Sequence, residues 1–299
     1  HAQAFAHAVA LYPHVEGAVI DRGVLQLETA PRDAARFAKI AASDLFEPEA
    51  LAMLGANEVS AALGEAAPSA LRLAAALVVE PHRILAAWLP PVEVTAVAGV
   101  ETTGAAWRLL DPSGRVLAEA EIVCLANGAS LAGLWAEARI LPVRGQLSWT
   151  DGVSGPAAAW GAYVAPTRTG IVFGATHDRD DAATDRRASD DARNLAALAA
   201  RLPGLAARLD AGTIGARATV RATTPDRMPL AGQVAPGLFV LGGLGSRGFT
   251  LAPLLAEHVA ALALGAPSPL ARRLAHTVSP VRFAARPARR GLVGAGSTV

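Results

Sequence analysis

The sequence predicts an α/β fold joined to an α+β part, and three observations carry that expectation. Leu238–Leu241 is an all-apolar run bounded by glycines, which suits a strand buried on both faces. Gly242, Gly243, Gly245 and Gly248 follow, after which Leu251, Leu254, Leu255, His258, Val259 and Leu262 recur on one face at helical spacing. Upstream, short strand-like runs are joined by turn residues such as Asp111-Pro-Ser-Gly114, the chemistry of antiparallel hairpins. A strand, a glycine loop and a helix N-terminus together present backbone N–H groups and a partial positive charge to an electron-rich ligand.

In chain order, His1 to Tyr12 reads as helix and Gly23 to Glu28 as a short strand. Pro31 to Ala42 is an amphipathic helix with its proline in the first turn, where a missing N–H costs nothing. Ala41 to Ala70 is rich in alanine and cut by Pro48, Gly55, Gly64 and Pro68, so short helices are expected. Leu77 to His82 ends a strand and opens a helix that stops at Pro90-Pro91. Val92–Val97, Trp107–Leu110 and Val116–Ala126 read as the three strands of a meander. Trp160–Ala165 and Ile171–Ala175 read as a hairpin, Asp190–Leu202 as a helix, and Gly212–Ala222 as a long strand delivering Arg221. The last helix is expected to begin near Thr250, since Pro253 then falls in its first turn.

A length of 299 residues suggests about two domains. The most apolar long stretch, Leu71–Leu89, is cut by Glu80-Pro81-His82-Arg83, and no basic region precedes an apolar core at the start. No membrane contact and no secretory leader are expected, and the single cysteine, Cys124, reads as a buried structural thiol of a cytoplasmic protein. The seven histidines show no paired-ligand spacing, and Asp178-Arg-Asp-Asp lacks the glycine and distal glutamate of a calcium loop. No metal site is expected. The acidic run Asp178–Asp191 reads as a solvated surface. The stretch from His258 onward carries Arg272, Arg273, Arg282, Arg286, Arg289 and Arg290 without one acid, a candidate surface for RNA phosphates.

Gly243-Leu-Gly245-Ser-Arg-Gly248 fits the G-x-G-x-x-G dinucleotide pattern, but that reading needs a second parallel strand ending in an acid shortly after the helix. No Asp or Glu follows Glu257, so it is rejected. A serine-hydrolase elbow fails too, because glycine would have to stand where Leu244 does.

Arg221-x-x-Thr224-x-Asp226-x-x-Pro229-x-x-Gly232, the strand after it, and Leu-Gly-Ser-Arg-Gly-Phe-Thr-Leu-Ala-Pro together resemble the C-terminal flavin-contacting segment of the D-amino-acid oxidase superfamily. The glycine and sarcosine oxidase branch is similar, and most similar are the oxidoreductase domains of tRNA 5-methylaminomethyl-2-thiouridine biosynthesis. Leu141-Pro-Val-Arg-Gly-Gln and Ile122-Val-Cys-Leu-Ala-Asn-Gly128 extend the resemblance. It implies a Rossmann-like FAD-binding domain from 81–137 and 223–265, a mixed-sheet substrate domain from 1–80 and 138–222, and a basic tail from 266–299. It implies that Val92, Ala126, Gly128, Arg144, Gln146, Gly242, Gly243, Gly245, Ser246, Arg247, Gly248, Phe249 and Thr250 bind FAD. Thr219 stands where sarcosine oxidases tether the flavin through cysteine, so non-covalent binding is expected. Arg221 is the carboxylate-binding arginine of the resemblance, and Tyr163 lines the substrate pocket. Paired with Asp226, Arg221 reads instead as an ordinary strand arginine.

The implied reaction is removal of the carboxymethyl group from 5-carboxymethylaminomethyl-(2-thio)uridine at the tRNA wobble position, with glyoxylate released. A fused or separate methyltransferase would act on the product. The alternatives are a small-molecule amine oxidase of glycine or sarcosine type and a non-catalytic RNA-binding remnant. No stretch ahead of Gly23 supplies the superfamily's N-terminal βαβ unit, so these residues are expected to be a piece of a longer chain that holds FAD weakly alone.

Overall fold

The computed structural model describes residues 1–47 and 49–283. α1 (Ala2–Leu11) leads through a tight turn into β1 (Val19–Leu27). α2 (Pro31–Ala41) opens on its proline, and the Asp33 carboxylate accepts from the amides of Thr29 at 2.9 Å and Ala30 at 3.1 Å, satisfying donors at the helix start. β2 (Leu51–Leu54), α3 (Ala56–Leu63), β3 (Ala70–Val79) and α4 (Pro81–Trp88) follow. β4 (Gly99–Thr102), β5 (Trp107–Leu110) and β6 (Val116–Ala120) form a separate antiparallel meander. Then come β7 (Val123–Leu125), α5 (Leu131–Leu134), β8 (Leu141–Asp151), β9 (Ala158–Ala159), β10 (Tyr163–Pro166), β11 (Gly170–Gly174) and β12 (Asp178–Arg179). α6 (Ala188–Ala199), α7 (Pro203–Ala206), β13 (Gly215–Thr223), β14 (Leu230–Ala235), β15 (Leu238–Gly242), α8 (Gly248–Ala263) and α9 (Arg272–Val278) complete the described chain.

The large sheet has nine strands, ordered β12-β8-β11-β10-β9-β1-β3-β2, with β13 also paired to β8. One face packs on α6 and α7, where Leu27, Val164, Ile171 and Phe173 meet Leu198, Leu202 and Leu205. β14, β15 and β7 make a small sheet in which β15 and β7 run parallel, with Val240 opposite Leu125. α8 lies on that sheet through Leu251, Leu254, Leu255 and Val259.

β8 inverts the usual rule for a strand. Its residues alternate between the two faces, and the polar set Arg144, Gln146, Ser148 and Thr150 is the buried one. These side chains sit beneath α6 and the segment before it. Arg144 binds the carboxylate of Asp190, and Gln146 bridges the Arg187 amide at 2.8 Å and Asp191 at 2.7 Å. Asn194 donates to the Gln146 carbonyl at 2.9 Å and to Ser148 Oγ at 3.0 Å. The acidic run is therefore not a plain solvated surface, because a buried guanidinium needs carboxylates beside it.

Other expectations change for identifiable reasons. Val92–Val97 forms no strand: two prolines precede it, and Val94 is 97% exposed with no strand among the described residues paired to it. Val116–Ala126 is two strands, β6 in the meander and β7 beside β15, and the Val123 amide bonds the Gly237 carbonyl at 2.8 Å. Within 41–70 an edge strand, β2, pairs with β3. α8 starts at Gly248, so Pro253 stands inside the helix instead of in its first turn. Cys124 is exposed, on the open face of β7, while partial desolvation pushes its thiol up.

Candidate active site

β13 runs antiparallel to β8 with Arg221 opposite Val143 and Thr219 opposite Gly145. Nearby, the carboxyl ends of the parallel strands β7 and β15 emerge side by side, which places Ala126 and Gly128 near Gly242 and Gly243. A crevice of about 500 Å³ opens there, lined by Pro142, His177, Arg179, Thr223, Thr224 and the loop Gly243–Arg247. Gly243 has φ +65°, and a Cβ on it would come within 2.8 Å of the Thr224 methyl. Only glycine lets the loop lie this close to β13 and leave the crevice open. A 3-10 turn, Gly245–Arg247, then leads into α8, so the unpaired amides of the helix start lie in the segment that borders the crevice.

Arg221 reaches across β8. Its guanidinium lies directly over Gly145, where a side-chain carbon would overlap it, and donates to the Thr176 carbonyl at 3.1 Å. Among the described residues it forms no ion pair. Asp226, its expected structural partner, instead binds Arg282 at 2.8 Å and 3.0 Å. Arg221 thus holds a positive charge that the protein leaves available to an anion. Burial pushes the Tyr163 phenol up while the charge of Arg221 pulls it partly back, so the two share one electrostatic neighbourhood. His177 is held below its usual range, first by desolvation and then by Arg221 and Arg179, which favours the neutral imidazole.

On the same face of the large sheet lies a second cavity of about 720 Å³, lined by Leu77, Leu147, Trp149, Tyr163, Ala165 and Val172 among others. Ser246 borders both the crevice and this cavity, so the two adjoin at the glycine loop. Gly248, Phe249 and Thr250 form the first turn of α8.

Two expected cofactor contacts are corrected. Arg144 and Gln146 turn to the opposite face of β8, fully buried, with the two terminal nitrogens of Arg144 and the amide of Gln146 bonded among Asp190, Asp185, Arg187 and Asp191. Val92 is exposed on an irregular segment outside the crevice lining, as Ala126 and Gly128 also are, which does not contradict it as a cofactor contact. Of the arginines expected at RNA, Arg272 and Arg273 are exposed at the start of α9. Arg282 is not free for phosphate, since it clamps Asp226 and the carbonyls of Met228, Pro229 and Ser279. Arg286, Arg289 and Arg290 lie outside the described residues. His177 and Arg179 had no local sequence signal, while Gly145 stood in the quoted Pro-Val-Arg-Gly-Gln motif without its role as a cradle being read. Trp149 had one, the apolar half of the alternation in Val143–Trp149.

Among the described residues, no His, Cys, Asp and Glu cluster is arranged to hold a metal ion, and no helix is long and apolar enough to cross a membrane. A glycine loop at the carboxyl end of parallel strands, with an arginine on a second sheet that has no acidic partner among the described residues, makes a candidate two-part site. The model of the DAO family, FAD dependent oxidoreductases, matches residues 2–262, and the chain belongs to that family. It is 55% identical over 290 residues to the tRNA 5-methylaminomethyl-2-thiouridine biosynthesis bifunctional protein of Caulobacter sp. strain K31, covering 95% of this chain and 48% of that one. It is 36% identical over 220 residues to the protein of the same description from Maricaulis maris, covering 72% of this chain and 36% of that one. The chain thus spans about half the length of the first of these relatives or less. Among solved structures, glycine oxidase from Geobacillus kaustophilus superposes with a TM-score of 0.79 at 22% identity, covering 94% of this chain and 81% of that one. L-proline dehydrogenase from P. horikoshii gives 0.80 at 18% identity, covering 94% and 82%. Both likenesses are of fold.

The family takes its name from FAD, and the residues present fit the flavin. Gly243 keeps the crevice open where a side chain would fill it, and the start of α8 offers amides to an electron-rich ring.

Proposed function

We propose that the chain oxidises the carboxymethylamino group of a wobble uridine in tRNA. The substrate R–NH–CH2–COO⁻ loses two electrons and two protons to become R–N=CH–COO⁻, and water converts this to R–NH2 and glyoxylate. Bound FAD supplies the two-electron acceptor. Its proposed contacts are Ala126, Gly128 and the segment from Gly242 to Thr250. Arg221 grips the carboxylate with two parallel N–H donors and so fixes the position of the adjacent C–H bonds. Tyr163, still protonated at neutral pH, offers its hydroxyl at the cavity wall.

The observation that carries this reading is the unpaired guanidinium of Arg221 held over Gly145 beside the glycine loop. The names of the relatives support tRNA as the substrate. On this reading residues 1–80 and 138–222 form the substrate part and 81–137 with 223–265 the FAD part. Arg272 and Arg273 contact tRNA phosphates in the cytoplasm. The relatives are described as bifunctional, and methyl transfer to the aminomethyl product belongs to a fused or separate domain.

The test is incubation of FAD-loaded protein with tRNA carrying 5-carboxymethylaminomethyluridine. Stoichiometric glyoxylate and a new aminomethyl nucleoside on mass analysis are expected. Oxidation of free glycine or sarcosine with the modified tRNA left untouched would transfer the assignment to a small-molecule amine oxidase.

A further inference from the structure

The open face of β8 carries an aromatic residue that the site described so far does not use. Trp149 is 36% exposed although it stands mid-sheet, two residues beyond Leu147 on the face that also presents Tyr163, Ala165 and Val172. A large apolar ring left at a cavity wall is the kind of surface that a ligand covers. Its orientation is built in by the neighbouring strand. Gly215 is the register partner of Trp149 on β13, and a Cβ on Gly215 would overlap the indole ring. The indole therefore lies against the β13 backbone, in a place that any other residue at 215 would deny it. The ring also borders the 720 Å³ cavity, where Tyr163 and Val172 line the same side.

The two ends of this face have different chemistry. At one end is the guanidinium of Arg221 over Gly145. At the other is Trp149, four residues along the same strand, a span of about 13 Å at strand rise. Between them Arg217 projects from β13 on this face, exposed and without an acidic partner among the described residues. The one acid lining the cavity, Glu80, is bound by Arg83 and Arg168. A ligand that matches this strip has a carboxylate at one end, a flat ring at the other, and further negative charge beside the ring.

We propose that Trp149 is a stacking platform for a pyrimidine base, with Arg217 beside it as the contact for the attached phosphate. This inference rests on the tRNA reading above and locates where the base lies in it. Base–aromatic stacking is tolerant of sequence because every base has a π-face.

The experiment measures equilibrium binding to the FAD-loaded protein, by calorimetry, for two ligands. One is 5-carboxymethylaminomethyluridine 5′-monophosphate and the other is sarcosine, which has the amine and carboxylate without the ring. Trp149→Ala should weaken the nucleotide roughly 5- to 150-fold, the conversion of stacking free energies of about 1–3 kcal/mol. It should leave sarcosine unchanged. Trp149→Phe, which keeps a ring, should retain most of the affinity. Arg217→Gln should weaken the nucleotide but not the nucleoside lacking its phosphate. Equal nucleotide affinity in wild type and Trp149→Ala, while Arg221→Ala abolishes it, would overturn the platform and leave the tRNA reading standing. Sarcosine binding with no nucleotide binding in wild type would overturn both.

Discussion

The two faces of β8 put two arginines to opposite uses. Arg144 points under α6, has no exposed surface, and binds Asp190, Gln146 and the Asp185 carbonyl. Arg221, from the adjacent strand, lies on the other face with one backbone acceptor and, among the described residues, no acid. Burying a charge costs several kcal/mol unless partners surround it, and the carboxylate of Asp190 with the acceptors on both terminal nitrogens supplies that partner for the first arginine, its Nε alone lacking one. The second keeps most of its donors without a partner among the described residues, a cost that the anion proposed above would remove. The contrast shows that residue type does not reveal which face of a strand does chemistry; the distribution of partners does.

The largest expected effect breaks the buried side. Arg144→Ala leaves the buried Asp190, 4% exposed, with Arg193 at 3.0 Å as its remaining ion pair, and should cost about 3 kcal/mol in urea unfolding, the low end for a broken buried pair. A loss under about 1 kcal/mol would mean that the network under α6 is not a stability element. Arg221→Ala is the mirror experiment. Here kcat/KM for the carboxylate-bearing amine should fall roughly 10- to 150-fold, from an interaction of about 1.5–3 kcal/mol, with the unfolding midpoint barely moved. If instead Arg221→Ala unfolds the protein while turnover per folded molecule is kept, the roles of the two arginines are reversed.

Gly145→Ala sharpens the comparison further, because the added methyl overlaps only the far end of a flexible side chain. The guanidinium can swing aside, so stability should change by less than about 1 kcal/mol. Carboxylate binding should weaken about tenfold, as a displaced bidentate contact predicts. Unchanged affinity would show that Arg221 acts from another position.

Much of the site was legible because its signals are local. The strand Leu238–Gly242, the glycines after it and the apolar face of α8 fall within one short stretch and obey simple periods. Arg221 was legible through its motif. The fate of Arg144 was not, since its partner Asp190 stands 46 positions away and only the tertiary fold joins them. The same applies to Asp226, which the sequence places close to Arg221 but the fold gives to Arg282, 56 positions on. Val116–Ala126 misled because apolar continuity cannot say that one run serves two sheets. Cys124 misled for a related reason: a strand with one uncovered face exposes alternate residues whatever their polarity.

The smallest effect concerns the acid that does not compete for Arg221. Arg282, then the Met228 amide and Thr224, hold the Asp226 carboxyl down at about 2. Its folded value lies below the unfolded value of about 3.9, so its contribution is present above about pH 4 and is lost as pH falls towards 2. Asp226→Asn should lower stability at pH 7 by under about 1 kcal/mol, since the carboxylate is partly exposed, and should flatten the acid limb of the stability profile. An identical acid limb in the variant would show that other carboxylates set it.

Pro253 has a mechanical consequence for the glycine loop. A proline at this point cannot donate to the Phe249 carbonyl, so the first turn of α8 is one bond short. The hydroxyl of Tyr12, more than two hundred residues away in sequence, donates to that carbonyl instead. Burial, which pushes the Tyr12 phenol to about 12, keeps it protonated and able to donate across the physiological range. The helix start that borders the cofactor crevice is thereby latched by the end of α1. Amide exchange at Gly248–Ala252 should then follow the opening of α1, and Tyr12→Phe should loosen this turn while leaving the rest of α8 protected.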